Sequence, residues 1–383
     1  MIARPIEWIA SLALAVLSAY VIASEYPRVI SDHGLWDFGS FVASGRAARE
    51  GLNPYGVYPL TLHVALPGFE AWNPNLNPPI SALLFQVFDW ADPAVSLRIW
   101  WWISVACYVA TVLLLLHRYG RSQPLVVTVA LGLWMFALAG FWDTLFLGQI
   151  YLPLVLAGTV AWLLLERGEN IWAGFLIGLV VAIKPNFLVW PVLLFLAGHR
   201  VPAIVTVAVA AMISAIPLAV YGPEVYRQWF ELVASDRERA FFLTNASFAG
   251  LAARAGVPAL GLILSVGLLE GLAVWAFWRR PSVMRASALA LMASLLASPL
   301  GWIHYTLFLL PVFLSEWRKP AMRVAGLLLI IPVPFIIEQF TKPAWIQVTI
   351  GSVYGWALVL CLVVLVMWEW RQRKGGVPAG LTA

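Results

Sequence analysis

The sequence predicts an all-α, polytopic membrane protein. Three observations carry that prediction: the share of apolar residues, the scarcity of charge, and the recurrence of apolar runs of bilayer length. Of 383 residues, 62% are hydrophobic and only 11% are charged, whereas a soluble domain carries about a quarter charged residues. Mean hydropathy is +0.86. A water-soluble fold cannot enclose that much apolar surface, so the solvent is lipid. The 21 Trp and 11 Tyr suit the same solvent, because amphipathic rings favour membrane–water interfaces. The formal charge of +5 comes with no basic run. Lys and Arg fall singly or in pairs between apolar stretches, so no nucleic-acid partner is expected. Cys107 and Cys361 both lie in apolar stretches, which predicts neither a disulfide nor a cysteine metal site.

A spanning helix needs roughly 20 mainly apolar residues. The first candidate span, 6–24, follows Arg4 and resembles a signal peptide. No small-x-small cleavage site precedes Glu25, so it is read as a retained span. Further spans are predicted near 95–116, 124–141, 150–166, 171–183, 186–198, 201–220, 257–278, 285–300, 303–315, 322–340 and 346–368, about twelve in all. The segments 171–183, 186–198 and 303–315 are short, and read as a half-membrane hairpin and a tilted or broken helix. Orientation follows from charge. With the N-terminus inside, Arg118, Arg121, Arg167, Arg200, Arg279, Arg280, Arg285, Arg318, Lys319, Arg323, Arg371, Arg373 and Lys374 fall on the cytoplasmic side. The acids Asp32, Asp37, Asp89, Asp92, Asp143, Asp236 and Glu238 fall outside. That is the positive-inside pattern, and it places both termini in the cytoplasm.

Two outward segments stand out by length, 25–94 and 221–256. In the first, Phe38, Phe41 and Val42 share one helical face over 37–50, which predicts a helix lying in the membrane surface. Residues 51–79 are rich in turn formers, among them Gly51, Pro54, Pro59, Pro67, Gly68, Pro74, Pro78 and Pro79. Residues 80–90 then resume as a second interfacial helix. No internal repeat of the transporter kind is evident.

Along this frame run WDFGSF from Trp36, GLNPYGVYP (51–59), NPPISALLF (77–85), LGQIYLPLVLAG (147–158), GLVVAIKPNFLVWP (178–191), NASFAGLAAR (245–254) and ASPLGWIHYTLFLLP (297–311). In order and spread these resemble the class C glycosyltransferases, and within them the bacterial polyprenol-phosphate-dependent α-mannosyltransferases. The chain departs from that pattern twice. His304 is followed by Tyr305 where the family usually pairs histidines, and Asn77-Pro78-Pro79 stands where Tyr-Pro-Pro is usual. The resemblance implies one transmembrane domain over 1–383, a bundle of about twelve helices with interfacial helices in the first outward loop. It further implies an inverting transfer of a sugar, mannose foremost, from a polyprenyl-phosphate donor to a lipid or glycan acceptor. The reaction would take place at the extracytoplasmic face of the inner (plasma) membrane, with membrane lipids as surroundings. An arabinofuranosyl donor is the nearest alternative within the class. A secondary transporter is the alternative outside it, although Glu270 is the only clearly mid-span acid.

Such a transfer needs a base to take the acceptor's hydroxyl proton, and a phosphate leaving group needs no strong acid, so one carboxylate suffices. Asp37 has the right residue type at the outer surface. By sequence it could equally cap the 38–50 helix; the resemblance favours the catalytic role. Asp32 reads as a solvated loop acid. Lys184 is a lone cation beside the helix-breaking Pro185, placed either to neutralise a donor phosphate or to snorkel to headgroups. His304, after the Ser298-Pro299 break, is a second candidate for the donor phosphate. Asn53, Tyr55, Gln149, Asn245 and Ser247 are candidate substrate binders, each with a structural hydrogen bond as the alternative. Arg227, Arg237 and Arg239 could draw an anionic lipid or form a solvated face. With one candidate base and no clustered outward carboxylates, no cofactor and no metal are expected.

Overall fold

A computed structural model describes residues 3–66, 69–235 and 238–374. Pro67, Gly68, Asp236 and Arg237, named above, lie outside the described residues. The described residues begin with the long helix α1 (Ala3–Ser31) and enter the first long loop through α2 (Trp36–Arg49). A hairpin follows, β1 (Leu62–Leu66) antiparallel to β2 (Phe69–Asn73), pairing Leu62 with Asn73 and Leu66 with Phe69. Then come α3 (Ile80–Phe85), continued by a 3₁₀ turn to Trp90, and α4 (Pro93–Leu115). α5 (Leu125–Ala137) and α6 (Ala139–Leu147) form one bent pair. α7 (Tyr151–Glu166), α8 (Asn170–Ile183) and α9 (Val189–Leu196) are short, and α10 (Arg200–Tyr221) is long. The second long loop holds α11 (Glu224–Ser235), a 3₁₀ turn (Glu238–Phe241) and α12 (Phe248–Arg254). The bundle closes with α13 (Pro258–Arg279), α14 (Val283–Leu296), a 3₁₀ segment (Ile303–Leu309) running into α15 (Leu310–Ser315), α16 (Pro320–Leu328), α17 (Val333–Ile337), α18 (Ala344–Thr349) and α19 (Val353–Lys374).

Among the described residues, five helices are long and apolar enough to cross a membrane. They number up to seven if α5–α6, bent by 40°, and the α16–α17 pair, bent by 77°, each count as one span. The other predicted spans form apolar helices of 10–17 residues. At about 1.5 Å per residue these fall short of a hydrocarbon core of roughly 30 Å. Local chemistry sets the breaks. Asp92 caps α4, its Oδ1 accepting from Ala94 N at 2.9 Å, with Pro93 at the first helical position. Pro185 has no N–H to continue α8, so the helix stops and Lys184 takes an extended conformation (φ −132°, ψ 83°).

The first loop departs from expectation in two ways. The turn-rich stretch 51–79 contains the hairpin, whose side chains alternate between half-buried and exposed. Its turn formers bound the strands instead of filling the whole segment. Second, α2 does not lie on a surface: eleven of its residues are buried, on every face. The reason is size. A Cβ on Gly39 would meet Leu60 O at 2.6 Å, and one on Gly45 would meet Gln86 N at 2.8 Å. The hairpin side and α3 therefore close on α2 from opposite directions. Ser40 completes the join, donating to Asn73 O at 2.7 Å and accepting from Leu62 N at 3.0 Å.

Candidate active site

At the junction of the two long loops with the bundle lies a cavity of about 860 Å³, within the usual range for small-molecule sites. Asp37, Asp143, Gln149, Lys184, Arg239 and His304 all reach its wall.

Asp37 lies in the first turn of α2, yet it is not the cap. Leu35 holds that position and no side chain caps the helix. The carboxylate is instead gripped by two amides, Asn73 Nδ2 donating to Oδ1 and Gln149 Nε2 to Oδ2. The capping alternative is thereby set aside. Trp36, immediately before it, sits in the left-handed region (φ 46°), a strained setting for a bulky residue. Its indole donates to Asp32 Oδ1 at 2.6 Å, and its ring packs on Phe146 at 4.7 Å. Asp32 also accepts from Gly34 N at 2.7 Å. Asp32 is a partly exposed loop acid whose carboxylate also holds the backbone turn before Asp37. Gln149 is delivered by another left-handed residue, Gly148 (φ 65°), where a Cβ would stand 2.7 Å from Phe38 Cβ. Only glycine suits both constraints. Trp100 Nε1 fixes this turn, 3.1 Å from Gly148 O.

Burial raises the Asp37 carboxyl above the ordinary carboxylate range. The Gln149 amide, His304 and the Asn73 amide oppose that rise, while Asp143 adds to it.

Lys184 is buried, 6% exposed. Its ammonium donates to Asn77 Oδ1 at 2.5 Å and to Tyr151 Oη at 2.6 Å. Both partners are neutral, and no carboxylate lies within ion-pair reach of Lys184 among the described residues. An ammonium has three donors, so one remains beyond these two contacts. Snorkelling is set aside, since the side chain points into protein. Asn77 is held from behind, its amide donating to Asn75 Oδ1 at 2.9 Å, while Tyr55 Oη donates to Asn77 O at 3.2 Å.

His304 stacks on Tyr151 with ring centroids 4.7 Å apart. Its Nδ1 lies 3.1 Å from Asp143 Oδ2, too oblique for a linear hydrogen bond. A Cβ on Gly140 would meet Ile303 O at 2.8 Å, so that glycine lets α6 approach the His304 segment closely.

The other predicted substrate binders do not line the cavity. Asn53 is exposed and closes its own turn, Oδ1 accepting from Tyr55 N at 2.9 Å. Tyr55 serves the Asn77 backbone. Asn245 ties the second loop to the segment before His304, donating to Pro299 O at 3.0 Å and accepting from Gly301 N at 2.8 Å. Ser247 caps α12 through Gly250 N. Internal partners take up the polar groups of Asn53, Tyr55, Asn245 and Ser247, and the structure brings none of the four to the cavity wall. Arg227 is exposed and paired with Glu224 and Glu231, whereas Arg239 is buried at the cavity. Sequence reasoning weighed Arg239 as a cation for an anionic lipid but missed Asn73, Asn77, Asp143 and Tyr151 as parts of the site. Only Asn77 and Tyr151 carried a signal, standing inside NPP and LGQIY. Among the described residues no three His, Cys, Asp or Glu side chains gather as a metal site.

A multi-pass helical bundle with a large cavity walled by a gripped carboxylate and a buried ammonium defines the class: an integral membrane protein with a built polar site. The sequence profile of glycosyltransferase family 87 matches residues 75–299, more than half of the chain, and the chain belongs to that family. The match takes in Asn77, Asp143, Gln149, Tyr151, Lys184 and Arg239 and begins after Asp37. Among similar proteins is the polyprenol-phosphate-mannose-dependent alpha-(1-2)-phosphatidylinositol mannoside mannosyltransferase of Mycolicibacterium smegmatis. It is 27% identical over 352 residues, which cover 79% of this chain and 78% of the relative. No solved structure matches the chain significantly.

Proposed function

We propose that this glycosyltransferase moves a sugar, mannose, from a polyprenyl-phosphate donor to a lipid or glycan acceptor by a single inverting displacement. The observation that carries the reading is the meeting, in one cavity, of a buried carboxylate and a buried ammonium that has no carboxylate within ion-pair reach among the described residues. Lys184 is built to receive an anion, and the relative's name supplies one of suitable chemistry, a sugar phosphate on a lipid. Asp37 takes the acceptor's hydroxyl proton while that oxygen attacks the anomeric carbon. The bond from the anomeric carbon to the phosphate oxygen breaks, and its electron pair leaves with the phosphate, whose charge Lys184 offsets. His304 faces the same phosphate, and Asp143 steadies its ring. A β-linked donor then yields an α-linked product. The test is reconstituted protein given a labelled polyprenyl-phosphate mannose of known configuration. Transfer with inversion is expected. Retention, or transfer from a nucleotide sugar alone, would contradict the reading.

The reaction is placed at the extracytoplasmic face of the inner (plasma) membrane, in a bundle of about twelve membrane-embedded segments with both termini in the cytoplasm. The Lys/Arg asymmetry supports this placement. Ser31, Ser122 and Ser235 are all exposed. Single cysteines there, treated in intact cells with a membrane-impermeant thiol reagent, should label at 31 and 235 and not at 122. The reverse pattern would invert the topology.

A further inference from the structure

Arg239 is buried, 7% exposed, in the 3₁₀ turn of the second long loop. It reaches across to the end of the hairpin, donating through Nη1 to Asn73 Oδ1 and through Nη2 to Trp72 O at 2.6 Å. A guanidinium offers donors and no acceptor. The Asn73 atom facing it is therefore oxygen, and the atom facing Asp37 is the amide NH₂. Gln149, the other donor to Asp37, has no such clamp, since its Oε1 is buried without a hydrogen-bond partner.

We propose that Arg239 is a positioning residue for the transfer: by holding the Asn73 carbonyl it turns the Asn73 amide onto Asp37 and fixes the carboxylate as an ionised acceptor. With Arg239 absent, the Asn73 amide is free to rotate, and the flipped state sets a carbonyl oxygen against the carboxylate. This inference rests on Asp37 being the base. It also gives the second loop a purpose at the site, reinforced by Phe242 packing on Phe69 at 5.2 Å. Among the described residues, the charged and titratable groups that act on Asp37 from the surrounding elements are Asp143, His304, Lys184 and Tyr151. None of them touches Asn73 Oδ1.

The test is a double-mutant cycle in the full-length, membrane-reconstituted protein, with Arg239→Met, Arg239→Lys, Asn73→Ala and Asn73→Ala/Arg239→Met followed across pH. Arg239→Met should lower kcat about tenfold near neutrality, the scale of one hydrogen bond to a charged group, with donor KM little changed. Removing a donor from the ionised carboxylate moves the acid limb of the rate profile to higher pH. Asn73→Ala should do the same, and the double variant should be no worse than Asn73→Ala. Arg239→Lys, which keeps a donor-only side chain, should recover most of the rate. An unmoved acid limb in Arg239→Met, or losses that multiply in the double variant, would overturn the proposal. If Arg239→Met fails to fold, Asn73→Ala against Arg239→Lys decides: equal acid limbs in both would likewise overturn it. Asp37→Asn run alongside tests the base assignment separately, so failure of that reading is recognised by its retained activity.

Discussion

Asp37→Asn is expected to lower sugar transfer by about 10²–10⁴-fold, the usual worth of a general base, while the protein stays folded and keeps its donor. The substitution preserves shape and removes the proton acceptor. The carboxylate accepts amide hydrogen bonds from Asn73 and Gln149 and caps no helix, so no capping energy is lost. The pH signs separate activity from stability. A base must be ionised, so the rate falls as pH drops through the value that burial has raised. Stability runs the other way: a carboxyl whose folded pKa is raised contributes fully below the ordinary carboxyl range, and that contribution is lost as pH rises through the folded value. The neutral Asn avoids this loss at pH 7, so thermal unfolding of Asp37→Asn should come no earlier than wild type. Loss of activity together with loss of fold would return Asp37 to a structural role. Asp32→Asn makes the matching control, since its Oδ1 can still accept from Trp36 and Gly34. It should remain close to wild type, whereas Asp32→Ala frees Trp36 from its strained turn.

Lys184→Met is expected to weaken use of the lipid-phosphate donor by roughly ten- to a hundredfold, the worth of one charge-assisted contact to phosphate. Methionine fills most of the lysine's volume, and the stranded Asn77 Oδ1 keeps its place through the Asn75 contacts. The effect should appear in titrations of the donor and not of the acceptor. Unchanged donor dependence in a folded Lys184→Met protein would remove Lys184 from the phosphate site.

The sequence carried the solvent and the helical class, because burying apolar residues in lipid leaves a signal in every segment. It also carried the residues whose chemistry is costly where they stand: an acid beside an apolar helix at Asp37, a cation in an apolar run at Lys184, and a histidine after a proline break at His304. It carried the Gln149 amide but not that of Asn73. Asn73 sits in a turn-rich stretch whose strand pairing depends on α2 packing through Gly39 and Gly45, and small residues look the same whether they line a surface or a tight contact. For the same reason α2 reads as a surface helix while the structure encloses it. Asn245 and Ser247 look like binders because their motif sits among those of the site. The partners of Asn245 at Pro299 and Gly301 lie in a segment that only the fold brings beside it, whereas Ser247 caps its own helix through Gly250, three residues on. Arg239 was legible as charge, but its reach to Asn73 spans 166 positions and has no local pattern.

The most direct measurement of the central claim, that Asp37 is the base for transfer from a lipid phosphate, is mass spectrometry of the lipid that copurifies with Asp37→Asn. With donor binding intact and proton removal abolished, the variant should retain an intact polyprenyl phosphate bearing its sugar, while wild type loses that sugar once acceptor is added. A folded variant that still discharges the bound donor to acceptor at the wild-type rate would contradict the account.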